Sequence, residues 1–205
     1  MTERWCDFGP LRVGYDHTVL EPRPWTVTQS RLAAALLERA RAGPLLELHC
    51  GAGHIGQAAA VWSGRAVVQV DDDPCACGWA RRNAEANDVA AEVRCEAVEA
   101  LDAADSAFAL VLADPPYVPS TETARFSADP RHAIDGGADG LDGVRACLPV
   151  AARLTRPGGA VLLQVRGPRQ ARAVGHAASD EAIGLDALGM VAVAPDRAVV
   201  LLTRR

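Results

Sequence analysis

No lysine occurs in this chain of 205 residues, so all 21 basic side chains are arginine. Aromatic residues are scarce at 4%. No basic run stands out, and 26 acids against 21 arginines leave a net charge of −5. That balance lacks the electrostatic footprint of a strong nucleic-acid binder, so nucleic acid is not the favoured partner. No apolar stretch reaches the roughly 18 residues of a membrane span. The polar opening Met1-Thr-Glu-Arg-Trp-Cys-Asp7 also lacks the apolar core of a signal peptide. No membrane partner is expected, and the chain is expected in the cytoplasm. Six cysteines are present, but Cys75-Ala-Cys77 is not a C-x-x-C pair and no His or Cys spacing completes a metal set. Free thiols and no metal are expected. Alanine fills about a fifth of the chain, which with the missing lysine reads as a coding bias. The 49% apolar and 23% charged content fits one globular domain.

The order of elements is legible in outline. Residues 1–28 read as an irregular N-terminal extension that covers a cofactor, broken at Gly9-Pro10, Gly14 and Pro22-Arg-Pro24. The remainder, 29–205, reads as the main domain. Helical spacing predicts helices at 29–41, 55–62, 74–87, 144–155 and 169–183. Short apolar runs predict strands at 45–49, 65–70, 92–95, 108–113 and 160–165. A closing hairpin is expected from 189–193 and 198–203. Strands alternating with helices imply an open α/β sandwich, a doubly wound and mostly parallel sheet. Between the fourth strand and the next helix lies a long Pro/Gly/Ser-rich stretch, 114–143, of a length that is usually functional.

The chemistry gathers at strand ends. Glu47-Leu-His-Cys-Gly-Ala-Gly53 leaves the first strand through a glycine turn, where backbone can approach a cofactor closely. Asp71 ends the second strand, placed to accept ribose hydroxyls. Asp72 and Asp73 follow it. Glycine turn plus acid occurs in both nicotinamide-binding and S-adenosylmethionine-binding proteins, and Gly51-Ala-Gly53-His-Ile-Gly56 even fits G-x-G-x-x-G. Asp114-Pro-Pro-Tyr117 follows the fourth strand into the same crevice. Its prolines remove backbone donors and leave acceptors beside an aromatic wall, a pocket suited to a planar –NH2. Trp25 either lies over the cofactor or packs the N-terminal segment.

D/N/S-P-P-Y after the fourth strand resembles the signature of class I S-adenosylmethionine-dependent methyltransferases that modify amide or exocyclic amino nitrogens. More closely, the chain resembles the release-factor glutamine methyltransferases. Val19-Leu-Glu-Pro-Arg-Pro24, Val70-Asp-Asp-Asp-Pro74, Ala80-Arg-Arg-Asn-Ala84 and the Gly136-Gly-Ala-Asp-Gly-Leu141 loop match that family in order. The resemblance implies a seven-stranded Rossmann-like methyltransferase sheet with a C-terminal antiparallel hairpin. It implies S-adenosylmethionine as cofactor, S-adenosylhomocysteine as product, and a protein or small-molecule amide as acceptor. Glu47, His49, Cys50, Gly51, Ala52, Gly53, Asp71, Asp72, Glu96, Ala97 and Asp114 would hold the cofactor. Asp114, Pro115, Pro116 and Tyr117 would hold the acceptor, with Asp114, Pro115 and Tyr117 catalytic. His49 and Cys50 stand where the family has glycine and a small residue, and Asp114 where it has asparagine. Only 12 residues precede Val13, where the family has a helical domain, so weaker docking of a release factor is expected. A nucleobase amine in RNA or DNA is the alternative acceptor. A paralogue that binds cofactor without turnover is a third reading.

Overall fold

The computed structural model describes residues 2–205. Its first element departs from expectation. Residues 1–28 are not irregular throughout, because Arg4–Phe8 (β1) and Leu11–Tyr15 (β2) pair antiparallel around Gly9-Pro10. Gly9 takes a positive φ of 56° at that turn, so the pair that reads as a breaker is a hairpin loop. Phe8, Leu11, Val13 and Tyr15 are buried in one apolar cluster with the following helices. Asn83 fixes the hairpin from the other side. Its Oδ1 accepts from Gly14 N (2.7 Å), and its Nδ2 donates to Gly14 O and to Ala52 O (both 2.9 Å). Tertiary contacts therefore make these strands, which explains why local pattern missed them.

A 3-10 turn at Pro24–Thr26 leads into α1 (Val27–Arg39). Then come β3 (Leu45–Leu48), α2 (His54–Ser63), β4 (Val67–Asp71), α3 (Pro74–Ala86) and β5 (Ala91–Cys95). Pro74 opens α3 at a position where its missing N–H costs nothing, and the Asp73 side chain caps the helix through Cys75 N at 2.8 Å. β6 (Phe108–Ala113) is buried along its whole length. The 114–143 stretch is not wholly irregular, holding a 3-10 segment at Ser120–Phe126 and one helical turn, α4 (Arg131–Ile134). α5 (Asp142–Leu154), β7 (Thr155–Val165), α6 (Gly167–Ala178), β8 (Leu185–Ala194) and β9 (Arg197–Arg204) complete the chain. Pro157-Gly-Gly159, which falls between the expected helix 144–155 and strand 160–165, lies inside β7.

The main sheet has the order β5-β4-β3-β6-β7-β9-β8. Its first five strands are parallel, while β9 runs antiparallel to β7 and β8 antiparallel to β9. This is the doubly wound, mostly parallel seven-stranded sheet with its closing hairpin, as expected. One apolar cluster fills each face of the sheet. The chain order reverses at β3, which lies between β4 and β6, so the carboxyl ends of these three strands open a crevice. Gln29 of α1 is fully buried, and its Nε2 donates to Ala113 O and Leu162 O (both 3.1 Å), fixing the end of β6 where the crevice begins.

Candidate active site

Two adjoining cavities occupy the crevice. The larger, about 810 Å³, is lined by the turn after β3, the end of β4, Val19, Leu20, Ile55 and His132. The turn is tight: Gly53 N donates to Cys50 O at 2.8 Å, and Gly51 and Gly53 take φ of 52° and 81°. His49 also has positive φ, 55°, where a glycine would be free of strain and a histidine is not. Asp71 holds the turn in place. Its Oδ2 accepts from Gly51 N at 2.8 Å and its Oδ1 from Asp73 N at 3.0 Å. A carboxylate has about four acceptor positions, so two remain for a ligand. Burial pushes the Asp71 carboxyl up, against those two backbone donors.

The sequence-derived cofactor residues divide in two. His49, Cys50, Gly51, Ala52, Asp71, Asp72 and Asp114 all line the larger cavity. Glu47, Gly53, Glu96 and Ala97 are not among its wall residues. Glu47 is buried beneath the turn, accepting from Gln69 Nε2 and from the backbone N–H of Gly56. Burial raises it to about 8, so it is protonated at neutral pH and acts as a support for the turn. Gly53 O accepts from Gln69 Nε2 at 2.8 Å within the same network. Glu96 bonds through its backbone N to Asp71 O at 3.0 Å. His54 faces the cavity as a neutral ring, pushed down to about 3 by burial and set edge-on to Phe8 at 4.6 Å. No group of three or more His, Cys, Asp or Glu able to hold a metal ion occurs among the described residues.

The smaller cavity, about 560 Å³, lies on the far side of Asp114 and Pro116, which border both spaces. Pro115, Tyr117 and Trp25 line it, so Trp25 belongs to this side. Asp114 Oδ1 is sealed from solvent and has no hydrogen-bond partner. Burial raises its carboxyl to about 7, although the Arg197 guanidinium pulls the other way. The glycine-rich loop supports the motif from behind. A Cβ on Gly136 would come within 2.6 Å of Pro116 O, and one on Gly140 would clash with Tyr117 O. Gln170 Nε2 donates to Tyr117 O at 3.0 Å and to Gly140 O at 3.1 Å. Two ties draw the 114–143 stretch over the crevice: Arg23 to Asp129 (2.5 Å) and His132 Nε2 to Asp73 Oδ2 (3.1 Å).

Arg197 is the site residue that sequence reading missed. It sits at the start of β9, only 8% exposed, with its Cζ 5.2 Å from the Tyr117 ring centre and 5.7 Å from that of Trp25. In sequence it reads as part of a hairpin turn. Only the sheet order brings it beside Asp114.

A Rossmann-like sheet with a glycine turn, a strand-end acid and an acceptor motif at one crevice defines a methyltransferase architecture. A family model, the methyltransferase small domain, matches residues 28–130, and the chain belongs to that family. It is 34% identical over 175 residues to a release factor glutamine methyltransferase of Mycolicibacterium smegmatis, covering 82% of this chain and 61% of that protein. The protein of the same description from Mycobacterium tuberculosis is 33% identical over 163 residues, covering 74% and 53%. The chain thus spans a little over half the length of these curated relatives. The crystal structure of M. jannaschii TYW2 in complex with AdoMet shares the fold with TM-score 0.64 at 13% identity, covering 100% of this chain and 87% of that one.

Proposed function

We propose that this chain transfers a methyl group from S-adenosylmethionine to a primary amide nitrogen, that of a glutamine-like side chain in a protein. The observation that carries the proposal is Asp114, shared by the two cavities, with one buried oxygen lacking a partner. The residues fit the cofactor. Asp71 has acceptor capacity left at the cleft wall, Gly51 has open space where a side chain would otherwise project, and Val19, Leu20 and Ile55 offer an apolar wall. Asp71 and the 49–52 backbone would hold it, with Asp72 at the exposed rim, and the bound cofactor supplies an activated methyl group on a sulfonium.

An amide nitrogen is a poor nucleophile because its lone pair is delocalised into the carbonyl. Asp114 and the Pro115 carbonyl would accept its two N–H bonds and aim the lone pair at the methyl group. As the N–C bond forms and the S–C bond breaks, one N–H proton must leave. Asp114, with a pKa of about 7, is suited to take it near neutral pH. Tyr117 stays protonated, its hydroxyl pushed up by burial, and walls the pocket. Relatives named release factor glutamine methyltransferase favour the amide acceptor. Aspartate in place of asparagine is the one feature that favours a nucleobase amine instead.

The test incubates the protein and S-adenosylmethionine with a glutamine-containing peptide and, separately, an adenine- and cytosine-containing RNA, with mass spectrometry of both. Methylation of the glutamine side chain is expected. Asp114→Ala should lower that turnover by about 100-fold or more while leaving S-adenosylhomocysteine affinity within a few-fold. Methylation of the RNA alone overturns the amide reading, and full activity in Asp114→Ala removes Asp114 from the chemistry.

A further inference from the structure

The smaller cavity contains more unsatisfied polarity than the methyl-transfer reading uses. Besides Asp114 Oδ1, Arg197 Nε and Trp25 Nε1 are buried without partners. Buried donors and acceptors are nearly always paired, and each one left bare costs free energy that a ligand can recover. Arg197 is tied through its outer nitrogens and bare at Nε: its Nη1 bonds Asp196 Oδ2 at 2.5 Å and Asp196 O at 3.0 Å, and the guanidinium hydrogen-bonds the Tyr117 hydroxyl. The Trp25 and Tyr117 ring centres lie 5.7 and 5.2 Å from its Cζ, within cation–π range. Asp114, Arg197, Trp25 and Tyr117 line the same space, and Asp196 does not.

An unpaired acceptor and unpaired donors in one pocket match a ligand that carries an N–H beside an oxygen acceptor. A carboxamide has that pattern. A lysine ammonium would satisfy Asp114 but be repelled by Arg197, and a glutamate carboxylate would meet Arg197 but be repelled by Asp114. In its ionised form Asp114 cannot donate to the amide oxygen as an asparagine could, so the donor must come from elsewhere.

We infer that Arg197 is the specificity-determining residue of the acceptor pocket, donating a hydrogen bond to the carbonyl oxygen of the carboxamide whose nitrogen Asp114 receives. The inference rests on the amide acceptor proposed above. It assigns Arg197 to substrate selection, separate from cofactor binding, and makes the pocket reject both the amine and the acid of similar length.

The experiment titrates the S-adenosylhomocysteine-loaded protein by calorimetry with three peptides that differ only in carrying glutamine, glutamate or lysine at one central position. The wild type should favour glutamine over both others. Arg197→Met should weaken the glutamine peptide by about tenfold or more, as expected for losing a hydrogen bond from a charged donor, while strengthening the lysine peptide. A merely structural role would weaken all three together. Arg197→Lys keeps the charge and covers the case in which the methionine variant does not fold; it should retain part of the glutamine preference and still exclude the lysine peptide. If the glutamine peptide is preferred but that preference is the same in wild type and folded variants, the Arg197 assignment fails and the amide reading stands. If the wild type shows no glutamine preference, both fail.

Discussion

At the scale of single residues, the crevice holds two carboxylates in different settings: Asp71 is hydrogen-bonded to backbone, and Asp114 has a buried oxygen without a partner. Asp71 already accepts from Gly51 N and Asp73 N, so it shapes the turn and also faces the ligand. Asp71→Ala should therefore weaken S-adenosylhomocysteine binding by roughly 10- to 100-fold, whereas Asp72→Ala, at an exposed neighbour, should change it by no more than a few-fold. Calorimetry giving equal affinities for wild type and Asp71→Ala would remove Asp71 from the cofactor site. That Asp71 and Asp114 lie at the crevice was legible in the sequence because one ends β4 and the other directly follows β6, each with its context beside it, a glycine turn upstream or two prolines downstream. Arg197 was not, since nothing beside it in the chain marks it. Its meaning comes from Trp25 and Tyr117, which reach it through the fold. Glu47 was misplaced on the cavity wall for the converse reason. A carboxylate beside a glycine turn reads as a ligand contact, but β3 directs it inward to Gln69.

Among elements, the 114–143 stretch depends on its glycines for close approach to the acceptor motif. Gly136 sits where a Cβ would meet Pro116 O at 2.6 Å and Gly140 backbone at 2.9 Å, all atoms without rotamer freedom. Gly136→Ala forces the loop and the Asp114-Pro-Pro-Tyr117 motif apart. Since a shift of about 1 Å at a reacting group can cost on the order of 100-fold, turnover should fall by about tenfold or more. The cofactor cleft is walled chiefly by other segments, so S-adenosylhomocysteine affinity should stay within a few-fold. Wild-type turnover in that variant would show that the loop does not set the position of the motif. The sheet itself was readable, because buried parallel strands are short apolar runs and α2, α3 and α5 keep helical spacing. The first hairpin was not: β1 is mostly exposed, Gly9-Pro10 looks like a break, and its stability comes from Asn83 and the apolar cluster beneath it.

Across the whole molecule, buried ionisable groups around the crevice set how stability follows pH. Burial raises Glu47 to about 8 and Asp114 to about 7, and raises Asp71 as well. Such acids bind more protons folded than unfolded, so their contribution is lost as pH climbs from the ordinary carboxylate range to the raised values. Burial lowers His54 to about 3 and also lowers His49. Those rings stay neutral when folded but protonate when unfolded, so their contribution is lost as pH falls below 6.5, the ordinary histidine value. In the acidic range the two sets oppose one another. Above pH 6.5 the histidines are neutral in both states and fall silent, which leaves the acids alone. The melting temperature of the wild type should therefore decline between pH 6.5 and about 8. Glu47→Gln and Asp114→Asn should each remove part of that decline, and the double variant most of it. Glu47→Gln is the cleaner of the two because Glu47 lies off both cavity walls, so a change in slope there reports ionisation beneath the turn. A wild-type melting temperature that is flat over this interval would mean that neither acid is held protonated. A slope undiminished in the double variant would assign it to other groups.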